Sequence, residues 1–287
     1  MPPRFSIFSC SPTIAEQILS EFEIDELFEF AHLSKRAFAL VQSMPKTGAF
    51  LNVNISSTSC ATYLSDNWGE MEWKFYGERD ADRHKLENNE EQVTVKMDTS
   101  GESTELVFVK ISPYTYGCSS NSIKNIIQFI LYLDSLFDVY ISQLHLCPSE
   151  CHNLEAIQSV ELLKKSRYVS IKRGTVSHKE MRQLLGGFET ELMQICCSPE
   201  PNFTYDRIIS IPKLQIFEGS WFNGAMLLKL NCTTFDCVDN CSITEEHLNF
   251  FLREWLNNIT NIDHLTISLV YQNEQDGGKL VLRLNDL

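Results

Sequence analysis

No stretch of this 287-residue chain approaches the roughly eighteen consecutive apolar residues that a membrane helix requires. The opening MPPRFSIFSCSP lacks the sustained apolar run of a secretory leader, which points to cytosol or nucleus and not to export or a membrane. In that setting the ten cysteines are expected to be reduced. The Asn-x-Ser/Thr sequons at Asn54, Asn202, Asn231, Asn240 and Asn258 are then chance matches. Positive charge is also scarce: 24 Lys and Arg stand against 38 Asp and Glu, a net charge of −14, which disfavours nucleic acid or an anionic membrane as the main partner. There is no G-x-S-x-G elbow, no Walker loop and no dinucleotide fingerprint. The expectation is a protein that is not an enzyme and carries no cofactor.

Apolar residues make up 43% of the chain, enough for a real core. Three short helical patterns crowd the segment from Phe5 to Met44. The first runs from Thr13 to about Phe22, opened by Pro12, with Ile14, Ile18, Leu19 and Phe22 on one face. Asp25 is the expected cap of the second, which carries Leu27, Phe28, Phe30, Ala31 and Leu33. Ser34 is the expected cap of the third, with Ala37, Phe38, Leu40 and Val41. Phe28 and Phe30 point roughly 200° apart on a helix, so one of them needs a partner beyond its nearest neighbour. That partner is either the rest of this chain or another protein.

After a turn at Pro45–Gly48, strands are expected over 49–55, around MEWKFYG, and as a hairpin of 93–97 with 106–111. Residues 77–92 are densely charged and read as an exposed loop. From Ser122 onward helices and strands alternate. Helices are expected over 123–137, 156–164, the HKEMRQLLGGF stretch capped by Ser177, and 223–230. Ser242, with Glu245 completing a capping box, is preferred over Thr244 as the start of the helix ending near Trp255. The strands between them repeat a two-residue spacing: Leu144-x-Leu146, Val169-x-Ile171, Met193-x-Ile195, Leu214-x-Ile216, Phe235-x-Cys237 and Leu265-x-Ile267. With a helix between successive pairs, this is the texture of a degenerate leucine-rich repeat with a parallel sheet, though the asparagine ladder of a regular repeat is missing. A final strand over 279–284 would close the series.

Two clusters invite a metal: His145, Cys147, Cys151 and His152, and the trio Cys232, Cys237 and Cys241. Neither has the two close Cys pairs of a structural zinc site, so packed thiols and no metal are expected. Cys196-Cys197 is read as structural. Trp221 follows Gly219-Ser220 at a strand end, and is either a binding anchor or a core filler beside Trp255.

The layout of Pro12 opening the first helix, the Ile14/Ile18/Leu19 face, the DELFEFAHLSKR turn and the short Ser34–Val41 helix resembles an F-box. Much of the remainder resembles the nematode F-box proteins with an F-box associated type 2 region. That likeness rests on Phe217–Trp221 (FEGSW), Ile243–Trp255 (ITEEHLNFFLREW) and Leu265–Leu269 (LTISL), and is most specific over about 213–271. Ser11 stands where that family has leucine before the proline.

The resemblance implies two domains, a three-helix F-box-like module over 1–45 and an irregular leucine-rich-repeat-like α/β array over 46–287. It implies a substrate-recognition subunit of an SCF-type (Skp–cullin–F-box) ubiquitin ligase in ubiquitin-dependent degradation. Pro12, Ile14, Ile18, Leu19, Leu27, Phe28, Leu33 and Leu40 would bind a Skp-type adaptor, and through it a cullin, while the array holds a target protein. The alternative is a protein-interaction scaffold whose N-terminal helices cap its own array. Exposure of Phe28 and Leu19 separates the two.

Overall fold

The computed structural model describes residues 7–45, 48–56, 59–65, 70–76, 92–99, 102–112, 115–118, 122–238, 242–257, 262–269 and 278–283. The expected charged loop over 77–91, part of the 45–48 turn, Trp68, Ser119, Ser120 and Cys241 lie outside the described residues. The fold is α/β, with three N-terminal helices and a mixed sheet in each of two compact units. One unit comprises Met1–Val53 and Ser57–Tyr140, the other Asn54–Ser56 and Ile141–Leu287. Among the described residues no helix is long and apolar enough to cross a membrane.

The first unit opens with α1 (Pro12–Leu19), α2 (Ile24–Ala31) and α3 (Lys35–Gln42). Pro12 sits in the first turn of α1, where its missing N–H costs nothing. Glu23, and not the expected Asp25, precedes α2: its backbone N–H donates to the Glu26 carboxylate at 2.9 Å. Asp25 instead lies within the first turn, where a negative charge meets the positive end of the helix dipole. Ser34 caps α3 as expected, its hydroxyl accepting the Ala37 N–H at 3.1 Å.

The sheet of this unit contains β1 (Phe50–Ile55, to Val53), β2 (Ser59–Ser65), β3 (Glu70–Tyr76), β4 (Gln92–Thr99), β5 (Glu102–Ser112) and β6 (Thr115–Cys118), in the order β1-β2-β3-β6-β5-β4. The β3–β6 pair is parallel, and β2–β3, β5–β6 and β4–β5 are antiparallel. Neither β2 nor β6 follows from sequence pattern. The buried positions of β2 are Cys60, Thr62 and Leu64, too small and mixed to alternate visibly. Helix α4 (Ile123–Phe137) buries Phe129 against Trp73, Phe75 and Phe108 of the sheet, with ring centroids 5.3, 5.6 and 4.8 Å away.

The second unit runs β7 (Tyr140–Leu146, from Ile141), α5 (Leu154–Gln158), α6 (Glu161–Lys164), β8 (Tyr168–Val176), α7 (His178–Gly187), β9 (Leu192–Pro199), β10 (Lys213–Ile216), α8 (Gly224–Leu227), β11 (Thr234–Cys237), α9 (Glu245–Leu256), β12 (His264–Leu269) and β13 (Gly278–Arg283). Strands β7 to β12 are parallel neighbours in chain order, and β13 closes the edge antiparallel to β12. Their register lines up the paired apolar positions in two rows. Leu144, Val169, Met193, Leu214, Phe235 and Leu265 form one row; Leu146, Ile171, Ile195, Ile216, Cys237 and Ile267 form the other. Every member of both rows is buried.

Local chemistry sets the helix limits. The single helix expected over 156–164 is two, because the Ser159 hydroxyl turns back to the Ala156 carbonyl at 2.7 Å and ends α5. Thr244, and not Ser242, caps α9. Its hydroxyl accepts the His247 N–H and its own N–H donates to His247 Nδ1, each at 3.3 Å. A histidine therefore closes a box that glutamate was expected to close, while the Ser242 hydroxyl bonds the Ser220 carbonyl. Gly224 of α8 is required there, since a Cβ would lie 2.2 Å from the His247 ring.

Phe28 of α2 is fully buried, 5.1 Å from Trp73 and 5.6 Å from Tyr116 between ring centroids. Phe28→Ala is expected to lower unfolding stability by about 3–5 kcal/mol. Ile14→Ala, at a position 49% exposed, is expected to change it by less than about 1 kcal/mol. Denaturant unfolding of the two variants checks both values.

Candidate functional site

The residues expected to bind an adaptor divide into two groups. Leu19 and Phe28 are fully buried within the first unit. Pro12 is exposed, Ile14 is 49% and Leu33 75% exposed, and Ile18, Leu27 and Leu40 are half-buried. Phe30, on the other side of α2 from Phe28, meets Phe8 and Phe22, each at 6.1 Å. Both demands set by the 200° separation are thus met inside the unit.

Polar contacts hold α2 in place beside Phe28. The Glu29 carboxylate accepts from Lys110 Nζ at 2.6 Å and from the Tyr116 hydroxyl at 2.7 Å. Burial alone would raise the Glu29 pKa, but these two bonds and the Lys110 charge together hold it below the ordinary carboxylate range. His32 bridges α2 and α4: Nδ1 lies 2.6 Å from the Phe28 carbonyl and Nε2 2.8 Å from the Tyr132 hydroxyl. A neutral ring satisfies both, Nδ1–H donating to the carbonyl and Nε2 accepting from the phenol. Burial lowers the His32 pKa, and the Phe28 carbonyl offsets part of that shift.

Among the described residues no group of three His, Cys, Asp or Glu side chains is placed to hold an ion. His145 Nε2 contacts Gln143 at 3.1 Å, and His152 Nδ1 contacts the Ser149 carbonyl at 2.8 Å, so each ring is turned to its own local partner. Burial pushes the Cys151 and Cys232 thiols up to about 12, so both stand protonated at neutral pH. Cys196 and Cys197 are free thiols. Cys237, however, is disulfide-bonded, which corrects the expectation that all ten cysteines are reduced. Trp221 is half-buried against Phe203 at 5.7 Å and Phe222 at 5.8 Å, which is closer to the core-filling role than to an exposed anchor.

Apart from His145, sequence reasoning passed over the residues between the paired apolar positions. The same register that aligns the core also aligns His145, Ser170, Gln194, Gln215, Asp236 and Thr266 in a polar row on the opposite face of the second unit's sheet. A second row runs beside it through Gln143, Tyr168, Leu192, Lys213, Thr234 and His264. The Tyr168 hydroxyl donates to Gln194 Oε1, as does Ser170 at 3.1 Å, and Gln215 Nε2 donates to Asp236 at 3.2 Å. Their signal was the uniformly polar x of every L-x-L pair.

No protein-family model, curated protein or solved structure matches the chain.

The neutral His32 bridge gives a pH dependence with a definite sign. Its folded-state pKa lies below the ordinary 6.5, so the unfolded chain takes up the proton first. The contribution is complete above that ordinary value and is lost as pH falls below it. Denaturant unfolding at pH 7.5 and 5.5 should show a larger acid loss for the wild type than for His32→Gln.

Proposed function

We propose that the chain is the substrate-recognition subunit of an SCF-type ubiquitin ligase. On this reading the N-terminal helices form an F-box-like module for a Skp-type adaptor, and the second unit is a leucine-rich-repeat-like array that holds a target protein. The supporting observation is the set of apolar side chains that α1 to α3 leave outward after their own packing is complete. Pro12, Ile14 and Leu33 are exposed and Ile18, Leu27 and Leu40 half-buried, in the helix order of the resemblance. Leu19 and Phe28 then support the module from inside and do not touch the adaptor. The chain supplies proximity: a bound target is brought close to a charged ubiquitin carrier, which raises its effective concentration without a catalytic residue here.

A specific observation favours a second reading. Full burial of Leu19 and Phe28 suits a scaffold whose N-terminal helices are part of its own fold.

The experiment is a pull-down of the full chain with purified Skp-type adaptor, comparing wild type with Ile14→Asp/Leu33→Asp. Saturable binding weakened tenfold or more by the pair of outward charges is the expected result. A well-folded wild type that does not bind overturns the ligase reading and leaves the scaffold.

A further inference from the structure

The polar face of the second unit's sheet carries an imbalance of charge opposite to that of the chain. Its carboxylates are engaged by neighbours: Asp236 accepts from Gln215 and lies 3.8 Å from His264, and Glu191 at the rim is paired with Arg167 at 2.9 Å. Its lysines are not so engaged. Among the described residues Lys213 has no carboxylate within ion-pair distance, and the contact of Lys172 is the neutral Asn54 amide oxygen at 3.3 Å. Both lysines are exposed. The field of Lys172 reaches across to β7: after burial, its charge is the second cause lowering the His145 pKa. A protein of net charge −14 thus places two lysines without a carboxylate partner on one sheet face, against one carboxylate, Asp236, whose contacts are an amide and a histidine.

The face also has relief. A depression at the N-terminal ends of β7 to β10 is lined by Gln143, Arg167, Tyr168, Glu191, Leu192 and Lys213, with Glu191 held by Arg167. It offers an aromatic ring and a leucine for apolar contact, with the Arg167–Glu191 pair and Lys213 at its edge.

We infer that this face binds an extended acidic segment of a partner protein, with one carboxylate at Lys213 beside the depression and a second at Lys172. The register as far as Ile171, beyond which β8 shifts against β9, gives the approximate spacing. Lys172 lies two residues beyond Ser170, and Lys213 two residues before Gln215, two strands away. At about 4.8 Å per strand and 3.3 Å per residue, their Cα atoms are roughly 16 Å apart. An extended peptide covers that distance in about five residues, so the acids stand roughly four to six positions apart. The inference deepens the proposed function, since it rests on the second unit being the part that holds the target, but it does not depend on adaptor binding.

The test is selection of random linear 12-residue peptides displayed on phage against the full chain, followed by titration of selected peptides by fluorescence anisotropy. Selected peptides should be rich in Asp and Glu at that spacing. They should bind at least tenfold more weakly to Lys172→Glu/Lys213→Glu and more weakly as salt rises. Both lysines are on the surface, so this variant should keep the wild-type unfolding transition, and it should bind the Skp-type adaptor as the wild type does. Selection of peptides without acidic enrichment, failure to select any, or acidic peptides indifferent to the double change overturns the inference. Retained peptide binding by a chain that ignores the adaptor would remove the ligase reading and leave this surface standing.

Discussion

The second unit depends on a register lock between parallel strands. Side chains alternate across a strand with period two, so a slip by one residue exchanges its faces. In β11 that would drive Asp236 into the space of Phe235 and Cys237, and in β7 it would drive His145 into that of Leu144 and Leu146. Burying an unpaired polar or charged group costs several kcal/mol, while each large apolar side chain lost from the core gives up about 1.5–3 kcal/mol. Both costs act together on every strand. The same lock that packs the core fixes the positions of the polar rows, Lys213 among them.

In the first unit the organising contact is the aromatic cluster that receives Phe28. Trp73, Tyr116 and Phe129 come from β3, β6 and α4, elements far apart in sequence, and α2 closes over them. Glu29 and His32 flank Phe28 on the same helix and direct their polar atoms to Lys110, Tyr116 and Tyr132. One turn of helix therefore makes an apolar and a polar attachment together, which fixes which face of α2 remains outward.

The sequence revealed these features unevenly, for physical reasons. The L-x-L pairs were legible because burial on one face of a parallel sheet demands apolar residues at fixed spacing, and the observed register aligns all six pairs. The polar x positions were on the page as well, but a polar residue opposite a core marks only an uncovered face. β2 and β6 escaped because Cys, Thr, Ala and Gly alternate too weakly in size and polarity to reveal a strand. The cap of α9 was misread because a histidine nitrogen can accept the backbone hydrogen bond that a capping box usually gives to Glu or Gln. Helix periodicity showed that Phe28 needed a partner. It could not show that the partner was Trp73, since the contact joins residues forty-five positions apart by number.

The burial of Phe28 also bears on how an adaptor would have to bind. A stable protein interface covers about 800 Å² on each partner, and its energy is concentrated in a few well-packed side chains. An adaptor that took Phe28 as such an anchor would first have to draw it from Trp73 and Tyr116. The cost is comparable to emptying a core phenylalanine site, about 3–5 kcal/mol, with the Glu29 and His32 bonds to break as well. At 1.4 kcal/mol for each tenfold in affinity, the apolar cost alone is a penalty of about two to three and a half orders of magnitude. Docking through Ile14, Leu33 and the half-buried Ile18, Leu27 and Leu40 carries no such cost. If α1 to α3 bind an adaptor, the outward side chains are the ones that decide its affinity, and the buried ones decide whether that surface exists.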